Sequence, residues 1–368
     1  MSRIRKKDLT KYFNLILLLI TLGLMTYFCI SDGNLVTLVN SVPNLNMFWL
    51  AISVLSMFIY WLLDAKIIHN ITSSIYKDKY KFKSAFKVSM VGQYFNSITP
   101  LAIAGQPMQI LTMVRQGISA GVAFSISVQK FLVYQTSLTI YSLLVIVFKY
   151  GYFRSHFPKF ISLALVGFLI QSFIVVLLLL FSLNREFTTK LLKLTFKLLE
   201  KVHIVKNAKE KSKKIEQQLN YYICNNRAMN KNHRLALKLY LSTFLQLTAY
   251  YIIPFCLYKA FHSPGFPVID MISAQAFVTM ISSYTPLPGG AGTSEGSFLT
   301  IFNIFFDSEI TKQAMLLWRF IAYYSCILVG SLFAGFAAKQ EKINIDEIMN
   351  ENIKNIEYRN KRTFILII

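Results

Sequence analysis

An all-helical protein that crosses a membrane several times is the fold class this sequence predicts, and three observations carry it. Hydrophobic residues make up 54% of the 368 positions, and the mean hydropathy is +0.47. Several apolar runs reach roughly twenty residues, the length a helix needs to span a bilayer's hydrocarbon core. The net charge of +22 comes from Lys and Arg gathered between those runs, as topology signals are, and not from one compact basic domain. That distribution sets nucleic acid aside as a partner. Cys29, Cys224, Cys256 and Cys326 form no CxxC pair and have no histidines close by. Neither a disulfide framework nor a zinc site is signalled, and no metal or cofactor is expected.

The opening MSRIRKK is followed by an apolar run over residues 12–30. The run is too long for a signal-peptide core and no A-x-A site follows, so it reads as the first span. Arg3, Arg5, Lys6, Lys7 and Lys11 before it place the N-terminus in the cytoplasm. The stretch leading to a second span, residues 47–68, holds Asp32 and no Lys or Arg, as an external loop should. Lys77, Lys79, Lys81 and Lys83 then mark a return to the inside.

Residues 84–117 decide the topology. If they crossed fully, residues 118–148 and 160–183 would follow as spans and leave the strongly basic segment 184–234 outside, against the positive-inside rule. A re-entrant hairpin over 84–117, turning near Thr99-Pro100, places that segment in the cytoplasm. Lys149, Arg154 and Lys159 are then left outside, a smaller violation. A span over 235–258, a second hairpin over 271–306 entered from outside, and a last span over 314–337 complete the chain. The expected architecture is about six full spans plus two re-entrant helical hairpins. Residues 1–338 form the membrane domain, residues 339–368 a cytoplasmic tail, and both termini lie inside.

The hairpin tips read Ser97-Ile98-Thr99-Pro100-Leu101 and Ser283-Tyr284-Thr285-Pro286-Leu287, each followed by small residues and glycine. Entered from opposite faces, they suggest an inverted repeat with a binding site near the midplane. Pro286 and Pro288 stop a helix, and Gly289, Gly290 and Gly292 allow conformations closed to other residues. Thr293 or Ser294 can cap a new half-helix with Glu295 in its first turn. Its positive dipole end would then offer an anion site. Gly105-Gln106-Pro107 can start the matching arm of the first hairpin. The bland alternative is that both tips are packing kinks.

The run Pro288-Gly289-Gly290-Ala291-Gly292-Thr293-Ser294-Glu295 resembles the P-G-G-x-G-x-x-E signature of the lysyl-phosphatidylglycerol synthase transmembrane (flippase-like) family. That family is the membrane half of bacterial multiple peptide resistance proteins and also occurs as stand-alone proteins. The resemblance extends over about residues 11–338 and takes in the first tip and Trp318-Arg319. It implies movement of a phospholipid, such as an aminoacylated one, between the leaflets of a bacterial cell membrane. Gln106, Gln129-Lys130 and Gln135 stand where the family often has acidic residues, an E-R pair or an Asp. Aminoacyl transfer belongs to a soluble domain in the multidomain relatives, and residues 339–368 are too short for one.

Charge at bilayer depth is expensive and usually faces a partner or a cavity. Glu295 is the first candidate, pairing with Arg319 or meeting a cationic headgroup. Arg319 is suited to bidentate phosphate binding, with snorkelling to the interface as its alternative. Lys130 divides evenly between lipid phosphate and internal pairing. Gln93, Asn96 and Gln275 offer uncharged hydrogen-bonding groups near the tips, or polar glue between helices. The candidate headgroup-binding or gating set is therefore Thr99, Pro100, Gly105, Gln106, Lys130, Thr285, Pro286, Pro288, Gly289, Gly290, Gly292, Thr293, Ser294, Glu295 and Arg319. No residue stands out as catalytic. Elsewhere, residues 186–202 alternate Lys and Leu faces like a helix lying on an anionic leaflet. Cys326, Gly330, Ala334 and Ala338 form a small-residue stripe for helix packing.

A lipid flippase or scramblase acting on phosphate-bearing lipids is the function this pattern favours. A membrane-embedded lipid-modifying transferase, for which Asp32 and Glu295 would be the acidic residues, is the alternative from another class. A membrane subunit serving a separate phosphatidylglycerol lysyltransferase is a third. A homo-oligomer and a separate lipid synthase are the protein partners left open.

Overall fold

The computed structural model describes residues 44–76, 80–156, 158–183, 232–263 and 265–337. The expected first span, nearly all of the basic segment 184–234 and the tail 339–368 lie outside them. Among the described residues every regular element is helical.

Helix α1, Met47–Tyr76, starts where the Asn46 side chain accepts the Phe48 N–H at 3.1 Å. Helix α2, Phe82–Ile98, and α3, Gly105–Arg115, are joined by a short turn at Pro100–Ala102 and pack against each other as a hairpin. Helix α4, Ala120–His156, and α5, Pro158–Leu183, follow. Helices α6, His233–Tyr251, and α7, Ile253–Ala260, are nearly continuous and broken beside Pro254, which has no N–H to continue the ladder. A second hairpin is built from α8, Val268–Ser282, a turn at Pro288–Gly290, and α9, Thr293–Phe302. The chain ends in α10, Ser308–Arg319, a π-helical turn over Phe320–Tyr324, and α11, Ser325–Ala337.

Among the described residues, five segments are long and apolar enough to cross a membrane: Met47–Tyr76, Ala120–His156, Ile161–Leu180, His233–Ala260 and Ser308–Ala334. The four hairpin arms are not. They hold 17, 11, 15 and 10 residues, and at 1.5 Å per residue even the longest falls short of the roughly 30 Å hydrocarbon core.

Two spans run past their expected ends, to Tyr76 instead of 68 and to His156 instead of 148. Hydropathy marks where lipid contact stops, whereas a helix continues through polar residues until a breaker intervenes. Lys149 therefore lies on α4, where it forms an ion pair with Asp270 at the start of α8.

Helix α1 packs along α6, α2 and α7, and α11 packs along α2. The last contact depends on Gly330, where a Cβ would stand 2.8 Å from Tyr94 Cβ and 3.0 Å from the Met90 carbonyl. Of the small-residue stripe, Gly330 thus does what its spacing implied. Helix α8 is enclosed, with Met271, Ala274, Phe277 and Val278 all buried. On α5, by contrast, Leu163, Val166, Leu169 and Phe173 are exposed, an apolar face suited to acyl chains.

Candidate functional site

The two hairpin tips share one backbone path through the two residues after a proline and then diverge, Ala104 taking φ of -87° where Gly292 takes 84°. After Pro100, Leu101 and Ala102 take φ of 52° and 53°; after Pro288, Gly289 and Gly290 take 61° and 63°. The next helix begins at Gly105 in one and at Thr293 in the other, five residues past the proline each time. This equivalence corrects the register suggested by the S-x-T-P-L match. Pro100 corresponds to Pro288, not to Pro286, which is exposed and precedes the turn. The left-handed pair after the proline defines the turn, and only one tip marks that pair with glycine. In the corrected register Gly105 stands opposite Thr293, and Gln106 opposite Ser294.

Within the first tip, Thr99 Oγ1 donates to the Phe95 carbonyl at 2.6 Å and accepts the Ala104 N–H at 3.3 Å, closing the turn. Gly105 admits the Asn96 side chain, whose Oδ1 lies 1.8 Å from where a Cβ would be.

The second tip is held differently. Gly292, with φ of 84°, is the N-cap of α9, and Glu295 folds back so that its Oε2 accepts the Gly292 N–H at 2.7 Å. The cap expected from Thr293 or Ser294 is therefore supplied by Glu295. The hydroxyls of Thr293 and Ser294 donate instead to the Gly290 and Gly289 carbonyls at 3.0 and 3.3 Å, and Thr293 is also bonded to Thr285. The carboxylate sits at the positive end of the helix dipole, where a bound anion would otherwise be stabilised. The half-helix is thus charge-capped from within.

Arg319 pairs with that carboxylate. Its Nη2 lies 2.7 Å from Glu295 Oε1, and its Nη1 donates to the Gly289 carbonyl at 3.0 Å. The residue is 6% exposed, which is against snorkelling, the alternative reading for it. Its guanidinium lies 5.1 Å from the Trp318 ring centroid and 5.2 Å from that of Tyr323. Four residues on, Tyr323 donates to the Ser97 carbonyl of the first tip at 2.8 Å. The π-helical turn after Arg319 thus lets one helix hold both tips, which also touch each other directly. Tyr323 further explains Gly289, since a Cβ there would lie 2.2 Å from the ring.

Between the tips lies a cavity of about 240 Å³. Of the expected site residues, Thr285, Gly289, Gly290, Ser294 and Arg319 line it, and Glu295 stands behind Arg319. Thr99, Pro100, Gly105, Pro288, Gly292 and Thr293 shape the turns around it. Gln106, half-buried in the first turn of α3, does not line it. Gln93, Asn96 and Gln275 do, together with Tyr60, Tyr134, Tyr250 and Tyr323, which sequence reasoning did not single out. Several lining groups are buried without a hydrogen-bond partner: Arg319 Nε, both ends of the Gln275 amide, and Asn96 Oδ1.

Lys130 is not brought to this cavity. It pairs with Asp64 Oδ2 at 2.8 Å, an oxygen that also accepts from Ser89 at 2.6 Å. Gln246 donates to Asp64 Oδ1 at 3.0 Å. Internal pairing is thus the reading that holds for Lys130, and the four residues join α1, α2, α4 and α6. Asp64 was missed although a lone acid inside an apolar run is itself a signal.

The sequence matches the family described as "Lysylphosphatidylglycerol synthase TM region" over residues 14–330. It is also similar to a UPF0104 membrane protein of Archaeoglobus fulgidus, 22% identical over 291 residues, which cover 78% of this chain and 85% of that relative.

Proposed function

This chain belongs to the lysylphosphatidylglycerol synthase transmembrane-region family, and we propose that it moves a phospholipid between leaflets with the lipid phosphate held at Arg319. The observation that carries this reading is a buried arginine, its Nε without a hydrogen-bond partner, in the lining of a headgroup-sized cavity between two broken helices. Hairpin arms too short to cross the bilayer support re-entry, and the charge pattern favours entry of the first from the cytoplasm and of the second from outside. Irregular backbone at membrane depth is tolerated where it lines such a cavity.

In this scheme Glu295 keeps the Arg319 charge neutralised while the cavity is empty, and phosphate oxygens bind the free guanidinium edge when a lipid enters. The Arg319–Gly289 and Tyr323–Ser97 hydrogen bonds hold the tips together. Parting either contact opens the cavity toward one leaflet, while acyl chains stay in the surrounding lipid. The protein would act in the cell membrane with both termini cytoplasmic.

Leaflet exchange of labelled phospholipid in proteoliposomes tests the proposal. Exchange faster with protein than in empty vesicles, and lost in Arg319→Gln, is expected. Equal rates with and without protein across anionic, zwitterionic and aminoacylated lipids would overturn it.

A further inference from the structure

Resting on the transport reading above, we infer that the headgroup this cavity selects is a phosphate esterified to a small uncharged polyol, glycerol or a sugar, and not a cationic aminoacyl group. Among the described residues that line the cavity, Arg319 is the only charged one. The nearest carboxylate is engaged on both oxygens and does not line the cavity: Glu295 Oε1 faces Arg319 and Oε2 takes the Gly292 N–H. Asp64 is committed on both oxygens to Lys130, Ser89 and Gln246, and does not line the cavity. An ammonium entering here would lie beside Arg319 with no carboxylate of its own in the lining, an arrangement that both repulsion and desolvation oppose. The faces of Trp318 and Tyr323, which suit a cation, already carry the guanidinium.

The unpartnered groups describe the complementary ligand. Arg319 Nε calls for an anionic acceptor, as a phosphate oxygen provides. Gln275, only 1% exposed, presents a donor and an acceptor with neither used, and Asn96 Oδ1 is a second open acceptor. A hydroxyl both donates and accepts, so adjacent hydroxyls satisfy an amide at both ends, whereas an ammonium only donates. A site built to hydrogen-bond hydroxyls discriminates strongly against ligands that leave its buried groups unpaired.

The test is a headgroup series in proteoliposomes. Phosphatidylglycerol is scored by periodate oxidation of its accessible diol, and lysyl-phosphatidylglycerol and phosphatidylethanolamine by an impermeant amine reagent. Phosphatidylglycerol is expected to exchange at least about tenfold faster than either amine lipid. Gln275→Glu, which adds a carboxylate in the same volume, is expected to shift the ratio toward lysyl-phosphatidylglycerol by about tenfold. Amine lipids exchanging as fast as phosphatidylglycerol, or an unchanged ratio in the folded variant, would overturn the headgroup assignment while leaving transport intact. Failure of every lipid to exchange above empty vesicles would overturn the transport reading, and this inference with it.

Discussion

At the first tip the left-handed residues are Leu101 and Ala102; at the second, in the same turn, they are Gly289 and Gly290. A left-handed residue bearing a Cβ is strained, and the first tip tolerates this because Leu101 is 50% exposed and has room. The second has none, because Tyr323 occupies the space a Cβ would need at Gly289. The chemistry divides in the same way. The second tip carries Glu295 and receives Arg319, while the first offers a carbonyl at Ser97 and the amide of Asn96. The two tips thus share a turn and differ in charge, one lining the cavity with neutral groups and the other carrying the Glu295–Arg319 pair.

Substitutions that separate the tips sharpen this contrast. Arg319→Ala strands a buried carboxylate and should have the largest effect, a loss of about 3–5 kcal/mol read by thermal unfolding in detergent. Gly289→Ala should cost about 1–3 kcal/mol through its left-handed φ and the clash with Tyr323. At Gly105→Ala the obstructing atom is the end of the Asn96 side chain, which can swing aside, so about 1 kcal/mol is expected. Leu101→Gly, at the position equivalent to Gly289, should change stability least and in the opposite direction. Relief of strain outweighs the added chain entropy there, for a gain of under about 1 kcal/mol. Equal losses at Leu101→Gly and Gly289→Ala would show that the tips are not equivalent turns.

Much of this arrangement is legible in the sequence. Pro and Gly inside apolar runs mark both breaks, and the charge pattern argues against one span over residues 84–117, which form two short helices packed together. Glu295 and Arg319 stand out as charges at bilayer depth, and they pair. What escapes is set by tertiary structure. The repeat register was misassigned because Leu101 and Ala102 adopt a glycine-like conformation that composition does not announce. The π-helical turn over Phe320–Tyr324 leaves no compositional trace, so the role of Tyr323 in joining the tips was invisible. Asp64 was detectable as a lone acid, but its link to Lys130 depends on how α1 and α4 pack. The cap on α9 was placed on Thr293 or Ser294 because a carboxylate at the third position can serve a glycine N-cap equally well.

The claim on which the scheme depends is that the hairpins enter from opposite faces. Lys83→Cys and Asp307→Cys place single thiols at exposed positions near the outer ends of the two hairpins, on a background without Cys29, Cys224, Cys256 and Cys326. An impermeant maleimide applied to right-side-out and inverted vesicles should label the two variants from opposite sides. Labelling of both from the same side would contradict the inverted arrangement and the shared cavity built on it.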